Sequence, residues 1–440
     1  MHLDTTATPG AYLDILDEVV EAARDGGRRP VPVLSDLVSA DGQQQFVDLV
    51  MEGGGALGIA LVGYACALER LGVRFLCIGG ASAGAVVALL LGAAGRPPEA
   101  RAQRLITLVE QMPLREFIDG GWGAQWAFHV YQSYWRRSPG AAPERLPRKL
   151  LKWAATGAAA VVNTPRLLRR HGLCPGLRFH HWLDDALAEV GLPGATTADL
   201  DRRLAVAPGE VRFRAERLRS SDAVTALGEH PAVVAMAASE LRTERRVFFP
   251  EMARQELTGA LAQPVSLFAR ASMSIPLVFE PLRLTPGGQR TADKHSAHVF
   301  VDGGVLSNFP IDAFHDRDHV PACPTVGIKL AEEATPPPIT SLTGLLVSMF
   351  TSARHSRDLA FLEDNPEFRQ LIAHADTQGL GWLDFEMSRE DQLRLFRAGA
   401  VAACEWVFGS AERPGFDWDA YKGLRRSQLS MPAPRRRDTP

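Results

Sequence analysis

The 440-residue chain is poor in lysine, in cysteine and in net charge. Lys149, Lys152, Lys294, Lys329 and Lys422 are its only lysines, and arginine makes up the rest of the 48 basic residues. That bias is compositional, of the kind a GC-rich bacterial genome produces, and carries little functional weight. The formal net charge of −3 leaves no global field to draw the chain onto nucleic acid. Cys66, Cys77, Cys174, Cys323 and Cys404 form no CxxC pair and no even framework, which reads as a reduced, cytoplasmic protein with buried thiols. Long apolar runs are also missing. The longest, over 83–94, falls well short of the roughly 20 residues a membrane helix needs, and reads as a buried helix. The opening stretch "MHLDTTATPGAYLDILDEVVEAARDG" lacks the charged-then-apolar layout of a signal peptide.

Apolar residues, by contrast, are plentiful. They make up 46% of the chain, enough for a sizeable core. The length allows one large domain or two to three ordinary ones. Residues 11–25 have the spacing of an amphipathic helix, with Leu13, Leu16, Val19 and Val20 on one face. A buried strand is expected over 46–51, although Asp48 interrupts it. The loop "EGGGALG" follows, then a helix over 59–71, a strand over 73–78, the turn "GGASAG" and a helix over 83–91. This alternation predicts an α/β fold with a mostly parallel sheet. Further strands are expected over 232–238, 247–249, 298–301 and 325–330, and helical structure over 340–408. There is no internal repeat or long low-complexity linker, so one catalytic domain with insertions fits better than several domains.

Gly80-Ala81-Ser82-Ala83-Gly84 matches the G-x-S-x-G nucleophile elbow. In an elbow the serine sits on a sharp strand-to-helix turn, and its neighbours must be tiny because the two backbones nearly touch. The following helix aims its positive N-terminal end at the reacting centre. A tight turn of small residues would give the same letters. The strand before and the helix after supply the context an elbow needs.

The loop Glu52-Gly53-Gly54-Gly55-Ala56-Leu57-Gly58 exposes several backbone N–H groups, which makes it an anion nest. Beside a nucleophile it would serve as an oxyanion hole. Gly53, Gly55 and Gly58 also satisfy the dinucleotide spacing G-x-G-x-x-G. That reading needs an acidic residue at the end of the next strand, and Ile78-Gly79-Gly80 stand there. Gly53 and Gly58 fit a P-loop, yet Ile59-Ala60 replace its Lys-Ser/Thr pair.

A nucleophilic serine needs a base, and no histidine lies in a telling motif. His180 and His181 precede an amphipathic helix, and His315 and His319 sit in the charged loop "FHDRDH". In "VFVDGGVLSNFP" an apolar strand ends in Asp302, followed at once by Gly303 and Gly304. A carboxylate at a strand's C-terminal edge suits an α/β active site. An Asp-Gly turn would look the same.

GGGxxG, G-x-S-x-G and a late D-G-G, in this order, resemble the patatin-like phospholipases. The stretches "ARASMSIPLVFEP" over 269–281, "DGGVLSNFP" over 302–310 and "GLGWLDFEMSREDQLRLFRAGAVAA" over 379–403 resemble that family as well. The resemblance covers roughly 46–408. It implies a three-layer α/β/α fold with a mostly parallel central sheet and a helical cap insertion. It implies an acyl hydrolase, of phospholipase A or lysophospholipase type, with a Ser82–Asp302 dyad and no catalytic histidine. The N–H groups of Gly53, Gly54 and Gly55 would form the oxyanion hole, supported by Gly58, Gly80, Gly84, Gly303 and Gly304. No metal and no cofactor is required. The family's loop usually carries Arg or Lys where this chain has Leu57, a departure that bears on strength and substrate.

The expected divisions are an N-terminal helical extension over 1–45, the catalytic domain over 46–330 with a cap insertion at 122–175, a helical part over 331–410 and a flexible basic tail over 411–440. Four of the eight tryptophans, Trp122, Trp126, Trp135 and Trp153, lie in that insertion, and residues 136–170 hold nine basic residues against one acid, Glu144. Such a segment suits transient contact with an anionic membrane surface, or a helical cap with solvated arginines. The expected partner is a phospholipid or other acyl lipid, not nucleic acid. Two rival readings stay open: an α/β-hydrolase esterase using His315 or His319, and a lipid-binding relative with weak activity.

Overall fold

The computed structural model describes residues 10–126, 165–214, 232–293, 295, 298–330, 352, 356–377 and 379–430. The strands are β1 (Leu37–Ser39), β2 (Gln45–Met51), β3 (Val73–Ala81), β4 (Gly172–Cys174), β5 (Val211–Phe213), β6 (Val234–Glu240), β7 (Arg245–Phe249), β8 (Leu277–Phe279), β9 (Leu282–Leu284), β10 (His298–Asp302), β11 (Thr325–Lys329) and β12 (Ile372–His374). One ten-stranded sheet has the order β12-β11-β2-β3-β6-β10-β9, with β1, β5 and β7 attached at its sides. The five strands from β12 to β6 run parallel, β10 runs against them, and β9 is antiparallel to β10. The fold is therefore α/β with a mostly parallel central sheet, as the alternation predicts. The helices that matter below are α1 (Gly10–Ala23), α2 (Gly58–Arg70), α3 (Ala83–Ala94), α4 (Arg104–Glu110), α5 (Leu177–Glu189), α6 (Ser266–Ser272), α7 (Arg389–Phe408) and α8 (Trp418–Ser430).

Central parallel strands are covered on both faces and read as nearly unbroken apolar runs. β2, "QFVDLVM", is buried except at Asp48. The polar residue is accommodated by an irregularity in the β2–β3 register between Val47 and Leu49. There the Cys77 N–H donates to the Asp48 carboxylate at 3.0 Å. Every residue of α3 is buried, so a helix apolar on all sides lies inside the core and spans nothing. Among the described residues no helix is long and apolar enough to cross a membrane.

The expected cap at 122–175 falls mostly on 127–164, outside the described residues, as do 331–351 and the last ten positions. Over 340–408 the described part is not wholly helical: β12 interrupts it and extends the sheet beside β11. The tail differs from expectation too. Residues 418–430, read as flexible, form α8, with Trp418 and Tyr421 buried. Its charges made it look solvated, but two of them have buried partners. Lys422 Nζ lies 2.5 Å from Asp36 Oδ2, and both side chains are 3% exposed. Arg425 pairs with buried Glu367 at 3.3 Å.

Removing one member of a buried ion pair strands the other charge, at a cost of about 3–5 kcal/mol. Lys422→Met is expected to lower the free energy of urea unfolding by that amount. The double variant with Asp36→Leu is expected to recover most of it.

Candidate active site

The register of β6 brings the two candidate catalytic residues together. Along one edge β6 carries β7. Along the other it carries β3 and then β10, end to end. β3 pairs with the first half, as far as Ala81 opposite Ala237. β10 arrives antiparallel on the second half and ends with Asp302 opposite Ala238. Ser82 leaves β3 at that junction, and Asp302 closes β10 at the same point. Both are buried, at 3% and 5% exposure. They line one cleft with Gly55, Ile275, Pro276, Gly304 and Trp382.

Ser82 has φ 52° and ψ −121°, a left-handed conformation that costs about 1–3 kcal/mol outside glycine. The first turn of α3 holds it, since the Ala85 and Val86 N–H groups donate to the Ser82 carbonyl at 3.0 and 3.1 Å. The flanking glycines permit close approach. A Cβ on Gly84 would lie 2.3 Å from the Met51 carbonyl oxygen, so no larger residue fits without moving backbone. Gly80 meets Gly84 across the same gap.

The end of α6 ties serine and aspartate to each other. The Ser82 N–H donates to Ser272 Oγ at 2.9 Å, and Ser272 Oγ donates to the Ala237 carbonyl at 2.5 Å. The Ser82 hydroxyl donates to Met273 Sδ at 3.1 Å. The Asp302 N–H donates to the Ser274 carbonyl at 2.9 Å. Buried Arg270 steadies this Ser-Met-Ser run through a 2.6 Å hydrogen bond to Ser274 Oγ. Asp302 Oδ1 accepts the Gly304 N–H at 2.7 Å, which makes the Asp-Gly-Gly turn self-capping.

The glycine loop lies against this pair, with a changed division of labour. The Gly53 N–H donates to the Asn308 carbonyl at 2.9 Å, so the expected oxyanion role does not suit that amide. Gly53 matters for its missing side chain: a Cβ there would stand 2.5 Å from Asn308 Oδ1 and 3.0 Å from Ser82 Cβ. Gly54, Gly55 and Ala83, the residue after the serine, are the remaining candidate donors. Gly58 begins α2 and faces Ala83. Gly303 sits where a Cβ would meet the Ala237 carbonyl. Leu57 is buried beside Gly54 in the short 3-10 turn Gly55–Leu57.

Four further hydrogen bonds hold the loop, two of them from Asn308 beyond the Asp302 turn. Asn308 Nδ2 donates to Glu52 Oε1 at 3.1 Å and to the Gly53 carbonyl at 3.0 Å. Glu52 Oε2 accepts the Leu330 N–H at 2.7 Å. The Trp382 carbonyl accepts the Ala56 N–H at 2.9 Å, so the 379–388 segment covers the loop from outside.

A second, apolar chamber adjoins the cleft. Its walls come from α2, α3, α4 and α5, including Ile59, Val86, Leu105 and Phe179. Gly55 lines both spaces, and Met273 lines the chamber while accepting the serine hydroxyl. Sequence reading missed the chamber because its wall residues are indistinguishable from core. The motif "ASMS" was the available signal for Met273.

Three of the histidines weighed as alternatives, His180, His315 and His319, lie elsewhere. His315 packs edge-on to Phe361 and Phe368, with centroids 5.3 and 5.1 Å away. His319 pairs with Asp316 at 2.8 Å on the surface. His180 contacts Ser266 Oγ at 3.1 Å. None of the three lines the Ser82 cleft.

Asp358, in the helical stretch 356–364, grips the Asp302 turn from behind. Its carboxylate accepts the Ser307 hydroxyl at 2.6 Å and the Phe309 N–H at 2.8 Å. Arg246 reaches Ser307 Oγ at 3.1 Å and binds Asp312 through both guanidinium nitrogens at 2.6 and 2.7 Å. Burial pushes the Asp358 carboxyl up to about 6, against the opposing pull of its two hydrogen bonds. Between about pH 4 and 6 the native state keeps a proton that the unfolded chain has released. Stability is then expected to fall as pH rises through that window, by up to about 3 kcal/mol from this group. Urea unfolding at pH 4.5 and 6.5 checks it, and Asp358→Asn is expected to flatten that part of the profile.

Comparison with known proteins agrees with the geometry at the level of family. The chain is 26% identical over 358 residues to the uncharacterized protein YqhO of Bacillus subtilis strain 168, covering 80% of this chain and 95% of that one. Among solved structures it is similar to VipD from Legionella pneumophila, with 13% identity and a TM-score of 0.41 over 86% of this chain and 70% of VipD. It is also similar to the ExoU–SpcU complex from the type III secretion system of Pseudomonas aeruginosa, with 18% identity and a TM-score of 0.34. There it covers 88% of this chain and 58% of the matched one. The family model for patatin-like phospholipases matches residues 49–315, more than half of the chain and the whole span from glycine loop to Asp302 turn. The chain is a member of the patatin-like phospholipase family.

Proposed function

We propose that the protein is a serine acyl hydrolase that cleaves fatty-acyl esters of phospholipids or related lipids through Ser82 and Asp302. The observation that carries this reading is the end-to-end meeting of β3 and β10 on β6, which gives both residues one cleft. Ser82 Oγ attacks the ester carbonyl as its proton passes to the Asp302 carboxylate. Concerted transfer avoids a free alkoxide, which a carboxylate is too weak a base to generate. The carbonyl electron pair moves onto oxygen, where backbone N–H groups of Gly54, Gly55 and Ala83 receive it. One such donor is worth about 2.7–4 kcal/mol. Collapse of the tetrahedral intermediate breaks the ester bond, and the leaving alcohol or lysolipid takes the proton from Asp302. Water then enters, gives a proton to Asp302 and attacks the acyl carbonyl. The bond to Ser82 Oγ breaks, the fatty acid leaves, and Asp302 returns the proton to Oγ.

The apolar chamber supports an acyl chain as the part of the substrate that is held. The catalytic unit in this reading spans 46–330 with 331–410 completing it, since Trp382 lines the cleft and Phe385 the chamber. A lipid at a membrane surface, reached from a reducing cytoplasm, is the expected substrate.

The test is acyl release from mixed phospholipid vesicles and a short-chain nitrophenyl ester, with fatty acid read by mass spectrometry. Ser82→Ala and Asp302→Asn are each expected to lower turnover by about a thousandfold or more with folding intact. Unchanged acyl release in Ser82→Ala would overturn the reading.

A further inference from the structure

Met273 stands between the candidate nucleophile and the acyl chamber. Its Sδ accepts the Ser82 hydroxyl at 3.1 Å, and the same side chain forms part of the chamber wall. A thioether is a weak acceptor, and a carboxylate is a far stronger one. A hydroxyl turned toward sulfur is not delivering its proton to Asp302, so the arrangement is a resting one. The backbone on either side of Met273 is fixed. Ser272 Oγ holds the Ser82 N–H, and the Ser274 carbonyl holds the Asp302 N–H. The side chain itself is unbranched with three rotatable bonds, and can move without disturbing either anchor. Among the described residues lining the chamber it is the one whose side chain accepts the serine hydroxyl.

We propose that Met273 is a positioning residue that parks the Ser82 hydroxyl while the chamber is empty and releases it when an acyl chain enters. The inference rests on the hydrolase reading above. A chain that fills the chamber displaces the methionine side chain, and the hydroxyl turns to Asp302. Chain length then acts on kcat. A chain that only added uniform binding energy would lower KM and leave kcat alone.

The experiment measures kcat and KM for nitrophenyl esters from acetyl to dodecanoyl, in the unsubstituted protein and in Met273→Leu. Leucine keeps the approximate volume and removes the sulfur acceptor. In the unsubstituted protein kcat is expected to rise with chain length. In Met273→Leu the short-chain kcat is expected to rise by about twofold to threefold relative to the long-chain kcat, the worth of one weak hydrogen bond. Labelling of Ser82 by short- and long-chain alkyl fluorophosphonates is expected to show the same narrowing. A chain-length effect confined to KM overturns the proposal without needing the variant. So does an equal change in short- and long-chain kcat on substitution. Absence of any Ser82-dependent turnover or labelling in the unsubstituted protein overturns the hydrolase reading, and the latch with it.

Discussion

Everything at the candidate site depends on two strands sharing one edge of β6. β3 and β10 run in opposite directions and stop at neighbouring register positions, opposite Ala237 and Ala238. A one-residue slip in either pairing would turn its side chains to the other face of the sheet. The pairing therefore sets which residues meet in the cleft. The Ser-Met-Ser run at the end of α6 reinforces it by bonding the backbone of both residues at once. A serine in a costly left-handed conformation and a buried carboxylate are held by the same few hydrogen bonds.

The site extends outward from that junction in two directions. Toward the sheet end, Glu52 and Asn308 bind the glycine loop to the Asp302 turn, and Asp358 holds the turn from outside. These connections are polar and buried, so each fixes geometry that apolar packing alone would leave loose. Toward the helices, the site opens on an apolar space with few polar atoms to specify a headgroup. In the proposed hydrolase reading, recognition falls on the acyl chain.

The sequence made the junction's parts visible but not their division of labour. Ser82 and Asp302 stood out because both end strands and both sit among residues too small for any other purpose. The elbow's glycines were readable because Gly84 must pass within contact of Met51. Gly53 was misread because a glycine can be present for its amide or for its missing side chain, and the deciding partner, Asn308, lies 255 residues away. The chamber was illegible for a similar reason, since Ile59, Val86 and Leu105 have the pattern of ordinary core positions. Helix α8 was misassigned because Lys422 and Arg425 look solvated until Asp36 and Glu367 are brought to them by the fold. The departure at Leu57 has a packing account, beside Gly54, and no substitute cation is evident among the residues lining the cleft.

The most direct test of the central claim is a crystal structure of the protein after reaction with a long-chain alkyl fluorophosphonate. The account predicts phosphorus bonded to Ser82 Oγ, an Asp302 carboxylate oxygen within hydrogen-bond distance of that Oγ, and the alkyl chain lying in the chamber between α2 and α3. An adduct on another residue would contradict it, as would an adduct on Ser82 with a histidine in the place of Asp302.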